Sequence, residues 1–296
     1  RMTEARPWPR GVHAAALITM GVNDLYGILP QEAAVAGRDK ARSVRRYGTL
    51  RGVDRLLALL AEKQLQATWC IPAIVAEEQP ALIARIAAEG HEIACSGERH
   101  EDFSLLTLEQ QIASVTRGCE KLAQLTGKSI QGFRTPAGQW KPGLAAALVA
   151  NGIRWSSSWR GDDLPYFHPG TRLVELPMHY TLEDEPYFAF NLSPAIPPGQ
   201  SRIAPYAETL ANMTQDFQGF HRFGLLYLLR LHPEIIGTAG RIGLLRELIE
   251  TLQQHNVWIA SAQQIAAHWQ SQPDNDRSHP AEVFTRITGG AHGLNA

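Results

Sequence analysis

Leu225-Leu226-Tyr227-Leu228-Leu229-Arg230-Leu231, followed at once by His232-Pro233-Glu234, is the stretch on which the reading of the chain turns. A run this apolar describes a strand buried on both faces. Pro233 has no backbone N–H to offer a neighbouring strand, so the strand stops there. Gly237, Gly240 and Arg241 follow, and an amphipathic helix opens near Ile242. A parallel barrel places its reacting groups at the carboxyl ends of its strands, which makes His232 the first candidate for such a group. A lone His is more often a core residue satisfied by a backbone carbonyl, so the other strand ends must be weighed with it.

Working outward, Ala14 to Met20 reads as a first buried strand ended by Gly21, with Asn23-Asp24 beyond it. Ala67 to Ile71, Glu92 to Cys95, Ile130 to Phe133, Arg154 to Ser158, Leu173 to Met178 and Val257 to Ala260 read as further strands. Helical stripes separate many of them, such as the one from Gly52 to Gln64. Thr107 with Gln110 three residues later fits a capping box and opens a helix to about Thr126. Alternating strand and helix predicts parallel strands joined by right-handed crossovers, closed into a distorted (β/α) barrel of seven to eight strands. No internal repeat or linker divides the 296 residues, so residues 1-296 are expected to form one domain. Its core spans about 7-270, with a polar tail over 271-296. The connection from Leu25 to Arg46, with Gly27, Pro30, Gly37 and a basic cluster, is long enough to cover something.

Composition narrows the function. The chain is 44% hydrophobic and 19% charged with a net charge of -1, which argues against disorder and against nucleic acid as a partner. No apolar run approaches the roughly 18 residues that a membrane span needs. Arg1 to Arg10 is charged and Pro-rich, so no signal peptide is expected. Cys70, Cys95 and Cys119 are odd in number and lack metal-pair spacing, which suggests buried thiols in a reducing compartment, the cytoplasm. Polar groups at the ends of successive strands (Asn23-Asp24, Ser96 to His100, Arg134 and His232) point to a shared site. Glu183-Asp184-Glu185 reads as a solvated acidic turn.

Taken together, Thr19-Met20-Gly21-Val22-Asn23, Gly90 to Glu101, Gly132-Phe133-Arg134-Thr135-Pro136, Ser157 to Tyr166 and Leu231-His232-Pro233 resemble the polysaccharide deacetylase family, with its nodulation-protein-B fold. The nearest branch is the intracellular one, with peptidoglycan-deacetylase-like proteins and cofactor-independent allantoinases. The resemblance covers about Pro7 to Trp269. It implies a distorted (β/α) barrel, hydrolysis of C–N amide bonds and a homo-oligomer, often a tetramer. It implies that His232 is the general acid and that the segment with Asp163 and Tyr166 lines the substrate pocket. Trp159 reads as pocket wall or core, and Trp140 lies close to where the family has an aromatic that Ala137-Gly138 replace here, so both are further candidates for substrate contact. In the family an Asp base, oriented by the residue matching Arg134, stands where this chain has Gly21. A second Asp and two His residues hold the metal, where this chain has Asn23, Ser96 and His100. Zinc needs three protein ligands, so no cofactor is expected, with Asn23 and His100 the positions if a divalent metal binds. Asp24 or Glu98 would then serve as base, and Arg134 would hold an anionic substrate or an oxyanion. Two functions follow from these residues. One is a hydrolase of a small amide, ureide or N-acyl sugar without a tightly bound metal. The other is a catalytically silent barrel that binds a carbohydrate or metabolite.

Overall fold

The computed structural model describes residues 7–31, 37, 39–189 and 203–272. The polar tail, beyond Gln272, and residues 32–36 and 38 of the long connection lie outside the described residues. The strands are β1 Ala14–Gly21, β2 Thr68–Ile71, β3 Glu92–Cys95, β4 Gly132–Phe133, β5 Trp155–Ser156, β6 Tyr166–Phe167, β7 Val174–Glu175, β8 Leu226–Leu231 and β9 Val257–Ile259. They make one curled sheet in the order β6-β7-β5-β4-β3-β2-β1-β8, with β9 on β1. β8 takes one edge of β1 from Ala15↔Leu226 to Met20↔Leu231. β9 and β2 divide the other edge, at Ala14↔Val257 and Thr19↔Thr68.

The parallel α/β class and the half-barrel curl agree with the sequence reading. One strand does not: β6 pairs antiparallel to β7, with Tyr166↔Glu175 in register. Two residues are too short a run to show any periodicity, so nothing in the sequence marked it. Closure also differs from a complete barrel. Between the last sheet edge and β8 the described ladder has a single parallel bridge, Glu183↔Arg230, beside the bond from Asp184 N to Arg230 O at 3.3 Å.

The period of two along β8 sorts its side chains. Leu226 and Leu228 pack inward with Leu17, Trp155 and Val174. Tyr227, Leu229 and Leu231 pack outward in one cluster with Leu244, Leu245 and Leu248 of the helix Ile242–Gln253. The alternation therefore puts Arg230 and His232 on the inner face. On β1 the inward column runs Ala15, Leu17, Thr19, Gly21, so Gly21 and His232 both reach the same open end.

The helices are α1 Asp39–Tyr47, α2 Val53–Glu62, α3 Ala73–Glu78, α4 Pro80–Ala88, α5 Leu108–Thr126, α6 Leu144–Ala150, α7 Glu185–Phe188, α8 Tyr206–Phe223, α9 Ile242–Gln253 and α10 Ala262–Ser271. α5 begins with the anticipated capping box of Thr107 and Gln110. A π-turn over Gly48–Gly52 joins α1 to α2, and both flanking residues stay helical. Such single-turn widenings often stand beside functional sites. Its cause here is packing: a Cβ on Gly52 or on Gly237 would overlap the Pro233 carbonyl oxygen, so the turn behind His232 rests directly on the helix backbone.

Alanine at an ordinary helix position is favoured over glycine by about 1 kcal/mol. Gly52→Ala should reverse that sign and destabilise the fold by about 1–3 kcal/mol, because backbone atoms must move to admit the methyl. Urea denaturation measures it, and a stabilised variant would show that this contact does not constrain the turn.

Candidate active site

His232 leaves β8 with its ring held from one side. Its backbone N–H donates to Asp184 Oδ2 at 2.6 Å, and its Nδ1 meets Asp184 Oδ1 at 2.8 Å. Asp184 has no exposed surface, and His232 is 3% exposed. With Nδ1 committed, Nε2 is the nitrogen left to face a reacting group. Burial disfavours the charged imidazole, but Asp184, then Glu185 and Glu234, outweigh it and raise the His232 pKa above its ordinary value. A raised His is protonated across more of the neutral range, which suits proton donation.

Around the ring the walls come from three directions. A Cβ built on Gly21 would lie 3.3 Å from His232 Cδ2, 3.4 Å from its Nε2 and 3.5 Å from Asn23 Nδ2. Glycine thus leaves room for a ligand against the imidazole. A Cβ on Gly27 would lie 3.2 Å from Asn23 Cβ and 3.9 Å from Arg45 Nη1, which places α1 over the same opening. Arg45 pairs with buried Glu234 at 3.4 Å. Arg230 pairs with Glu183 at 3.2 Å, and Arg160 holds the other oxygen of that carboxylate. His100 is 6% exposed, adopts the left-handed φ of 60°, and has an Nδ1 without a hydrogen-bond partner among the described residues. Burial, reinforced by Arg230, His232 and Arg45, pushes its pKa down to about 3, so His100 is neutral. A non-glycine residue held left-handed carries backbone strain of about 1 kcal/mol or more, a cost met most often at functional sites.

The structure distributes the anticipated residues unevenly. His232, Asn23 and His100 converge. Asp24 does not offer a free base: its carboxylate accepts from Leu25 N at 2.6 Å, Thr49 Oγ1 at 2.8 Å and Gln79 Nε2 at 2.5 Å, and pairs with Arg46 at 3.0 Å. It ties β1's exit to the π-turn. Glu98 turns outward to Lys121 of α5 at 2.9 Å. Arg134 is buried and spends its donors on Ser157 O at 2.8 Å, Thr19 Oγ1 at 2.9 Å and Ser157 Oγ at 2.8 Å. It cross-links β4, β1 and β5 beneath the site and meets no carboxylate. Trp159 and Trp140 lie edge to face at 5.7 Å beyond β5 and β4, with His168 stacked on Trp140 at 4.9 Å. Tyr166 is fully buried and donates to Arg160 O at 2.8 Å. Asp163 is at the other end: its carbonyl accepts from Leu226 N, the first residue of β8. The six-residue strand separates it from His232 by roughly 20 Å.

Four residues of the site went unread in the sequence: Asp184, Glu185, Arg45 and Arg230. The acidic triplet is no solvated turn, since Glu183 and Asp184 are buried and Glu185 is half-buried. A signal for it existed. Arg230 interrupts an otherwise apolar strand two residues before His232, hence on the same face, and a guanidinium there needs a buried acid.

Residues 47–155 match the family model described as polysaccharide deacetylase. A crystal structure assigned to the polysaccharide deacetylases, from Mycobacterium smegmatis, superposes with a TM-score of 0.85 at 30% identity, over 94% of this chain and 98% of that one. The chain belongs to the polysaccharide deacetylase family. A second structure, of Puue allantoinase, shares the fold with a TM-score of 0.78 at 21% identity, over 94% of this chain and 96% of that one. Among curated proteins, a peptidoglycan deacetylase of Helicobacter pylori is 26% identical over 154 residues, which is 51% of this chain and 52% of that protein. The chain spans about half the length of the curated relatives it matches, or less.

The family's metal calls for an Asp and two His residues, and the side chains present do not supply them. Asn23 is a neutral amide, and the Ser96 hydroxyl donates to Arg134 O at 3.1 Å. Among the described residues no three His, Cys, Asp or Glu side chains come together as a metal site. His100 alone retains a ligand's chemistry, and one imidazole is too few.

Asp184→Asn should lower the pKa of His232, read by NMR titration of the ring. Because the folded value is raised, the contact adds stability that is complete below the unfolded value, about pH 6.5, and is lost as pH rises through the folded one. The advantage of the wild type over Asp184→Asn in denaturation should therefore shrink with rising pH. An advantage that grows instead would contradict the raised imidazole.

Proposed function

We propose that this chain hydrolyses a non-peptide C–N bond of a small amide, a ureide or an N-acyl sugar, without a tightly held metal. The observation that carries the reading is the His232–Asp184 pair set against the hollow left by Gly21. An imidazole so held donates its Nε2 proton to the departing nitrogen and restores a neutral ring. Asn23 Nδ2, close to the same hollow, is a donor for the carbonyl oxygen as negative charge develops there. Arg45 and Arg230 raise the positive potential at that point. Trp159, half-buried and backed by Trp140, gives a substrate an aromatic surface, as flat ureides and the apolar faces of sugars require. The relatives named peptidoglycan deacetylase and allantoinase support a C–N bond as the target.

The working compartment in this reading is the cytoplasm, supported by Cys70, Cys95 and Cys119, all free thiols. No helix among the described residues is long and apolar enough to cross a membrane. A homo-oligomer, tetrameric by family likeness, is the expected assembly, and light scattering measures it. The missing metal ligands favour a second reading, a silent barrel that binds a carbohydrate or metabolite. The same assay separates the two.

Purified protein should turn over at least one member of a panel of N-acetylglucosamine oligomers, allantoin and formamides. Turnover should persist after exhaustive chelation, and a loss above tenfold that zinc restores would overturn the metal-free reading. His232→Ala should lower kcat by about 10²–10⁴-fold, the usual worth of a general acid. Calorimetric binding of a panel member that is recovered unchanged would establish the silent reading instead.

A further inference from the structure

A metal-free hydrolysis needs a group to take a proton from water, and the carboxylates near His232 are nearly all engaged. Asp24 satisfies four donors at the base of the π-turn. Asp184 holds His232, Glu183 is shared by Arg230 and Arg160, and Glu234 is buried against Arg45. Glu98 faces α5. Glu185 differs from all of them. It opens α7 immediately after Asp184, so the residue that pins the imidazole also fixes the Glu185 backbone. It is half-buried, and among the described residues its carboxylate enters no hydrogen bond or ion pair.

We propose that Glu185 is the general base of this site, the carboxylate that stands in for the one absent at Gly21. The inference rests on the hydrolase reading above. Glu185 approaches from the α7 side, whereas the lost carboxylate would have come from the end of β1. The groups that act electrostatically on its carboxylate are His232 and Arg230 of β8 and its exit, Arg45 of α1 and His100 of the loop after β3. Burial raises its pKa, but these groups outweigh burial and hold it below the ordinary glutamate value. The carboxylate is therefore charged at neutral pH and able to accept a proton.

The step balances with water as the only co-reactant. Glu185 takes one proton from water while the water oxygen bonds to the carbonyl carbon. The carbonyl π electrons move to oxygen, where Asn23 donates. Collapse of that intermediate breaks the C–N bond, and protonated His232 gives its proton to the leaving nitrogen. The products are a carboxylic acid and an amine. Glu185 loses its acquired proton and His232 regains one through solvent.

The test uses the whole 296-residue chain and the panel substrate with the highest wild-type turnover. Glu185→Gln keeps the shape and removes the basic oxygen. Its kcat should fall by at least about a hundredfold, with KM changed less than tenfold and the melting temperature held. In the wild type kcat/KM should decline on the acid side below the ordinary glutamate pKa, and on the alkaline side above the ordinary histidine pKa. Glu185→Asp should recover part of the rate and keep the acid-side decline, and the Gln variant should lose that decline. Wild-type turnover that survives in Glu185→Gln with its acid-side decline intact overturns the assignment and leaves the hydrolase reading standing. Equal failure of the Gln and Asp variants with collapsed melting temperatures assigns Glu185 to folding and likewise overturns it. A wild type that turns over no member of the panel overturns both.

Discussion

A guanidinium on the buried face of β8 is the constraint on which the active end of this molecule depends. Arg230 is mostly withdrawn from water on the inner face of β8, and a guanidinium there needs an acid beside it. Glu183 meets it at 3.2 Å, and to do so the chain after β7 must come down onto β8. That approach makes the ladder rung seen among the described residues between the sheet's edge and β8. It then places Asp184 on the imidazole of His232 and leaves Glu185 half-buried at the start of α7. One ion pair thus organises three consecutive acids into three separate tasks: closure, orientation and a charged wall.

The fold was legible because its evidence is long-range pattern. Eight residues of β1 and six of β8, with no polar interruption before Thr19 and Arg230, can only be central strands. The capping box at Thr107 set the start of α5 for a different reason, since that signal is local and chemical. Strands of two residues, such as β6, carry no such pattern, and β6 ran opposite to its neighbours without warning. The site was half legible. Residues at strand exits, His232, Asn23 and His100, were found by position. Asp24 and Glu98 were attractive as carboxylates, but only coordinates show that Thr49, Gln79, Arg46 and Lys121 have already claimed them. Asp184 and Glu185 escaped because acid runs usually face water, and that prior fails where an inward-facing Arg230 and His232 need acids beside them.

The comparisons and the geometry bear on different halves of the machinery. Family membership accounts for the barrel and matches the His-Pro exit. Gly21, Asn23 and Ser96 account for the other half, in which carboxylate and imidazole ligands have given way to open space, an amide and a hydroxyl. Arg134 follows the change. With no acid above it, its donors turn to Thr19 and Ser157, and it becomes a cross-tie of the strands.

The single rung at Glu183 has a further consequence. β8 is zipped to β1 over six paired residues, but on its other side, among the described residues, it has one ladder rung at Glu183 and the bond from Leu226 N to Asp163 O at the far end. Thermal breathing of the molecule will start along that side, because parting it sacrifices the fewest backbone bonds. Each such excursion carries Asp184 away from His232 and lets the imidazole relax toward its solution basicity. The weakest line in the architecture and the protonation state of its central histidine are therefore one variable.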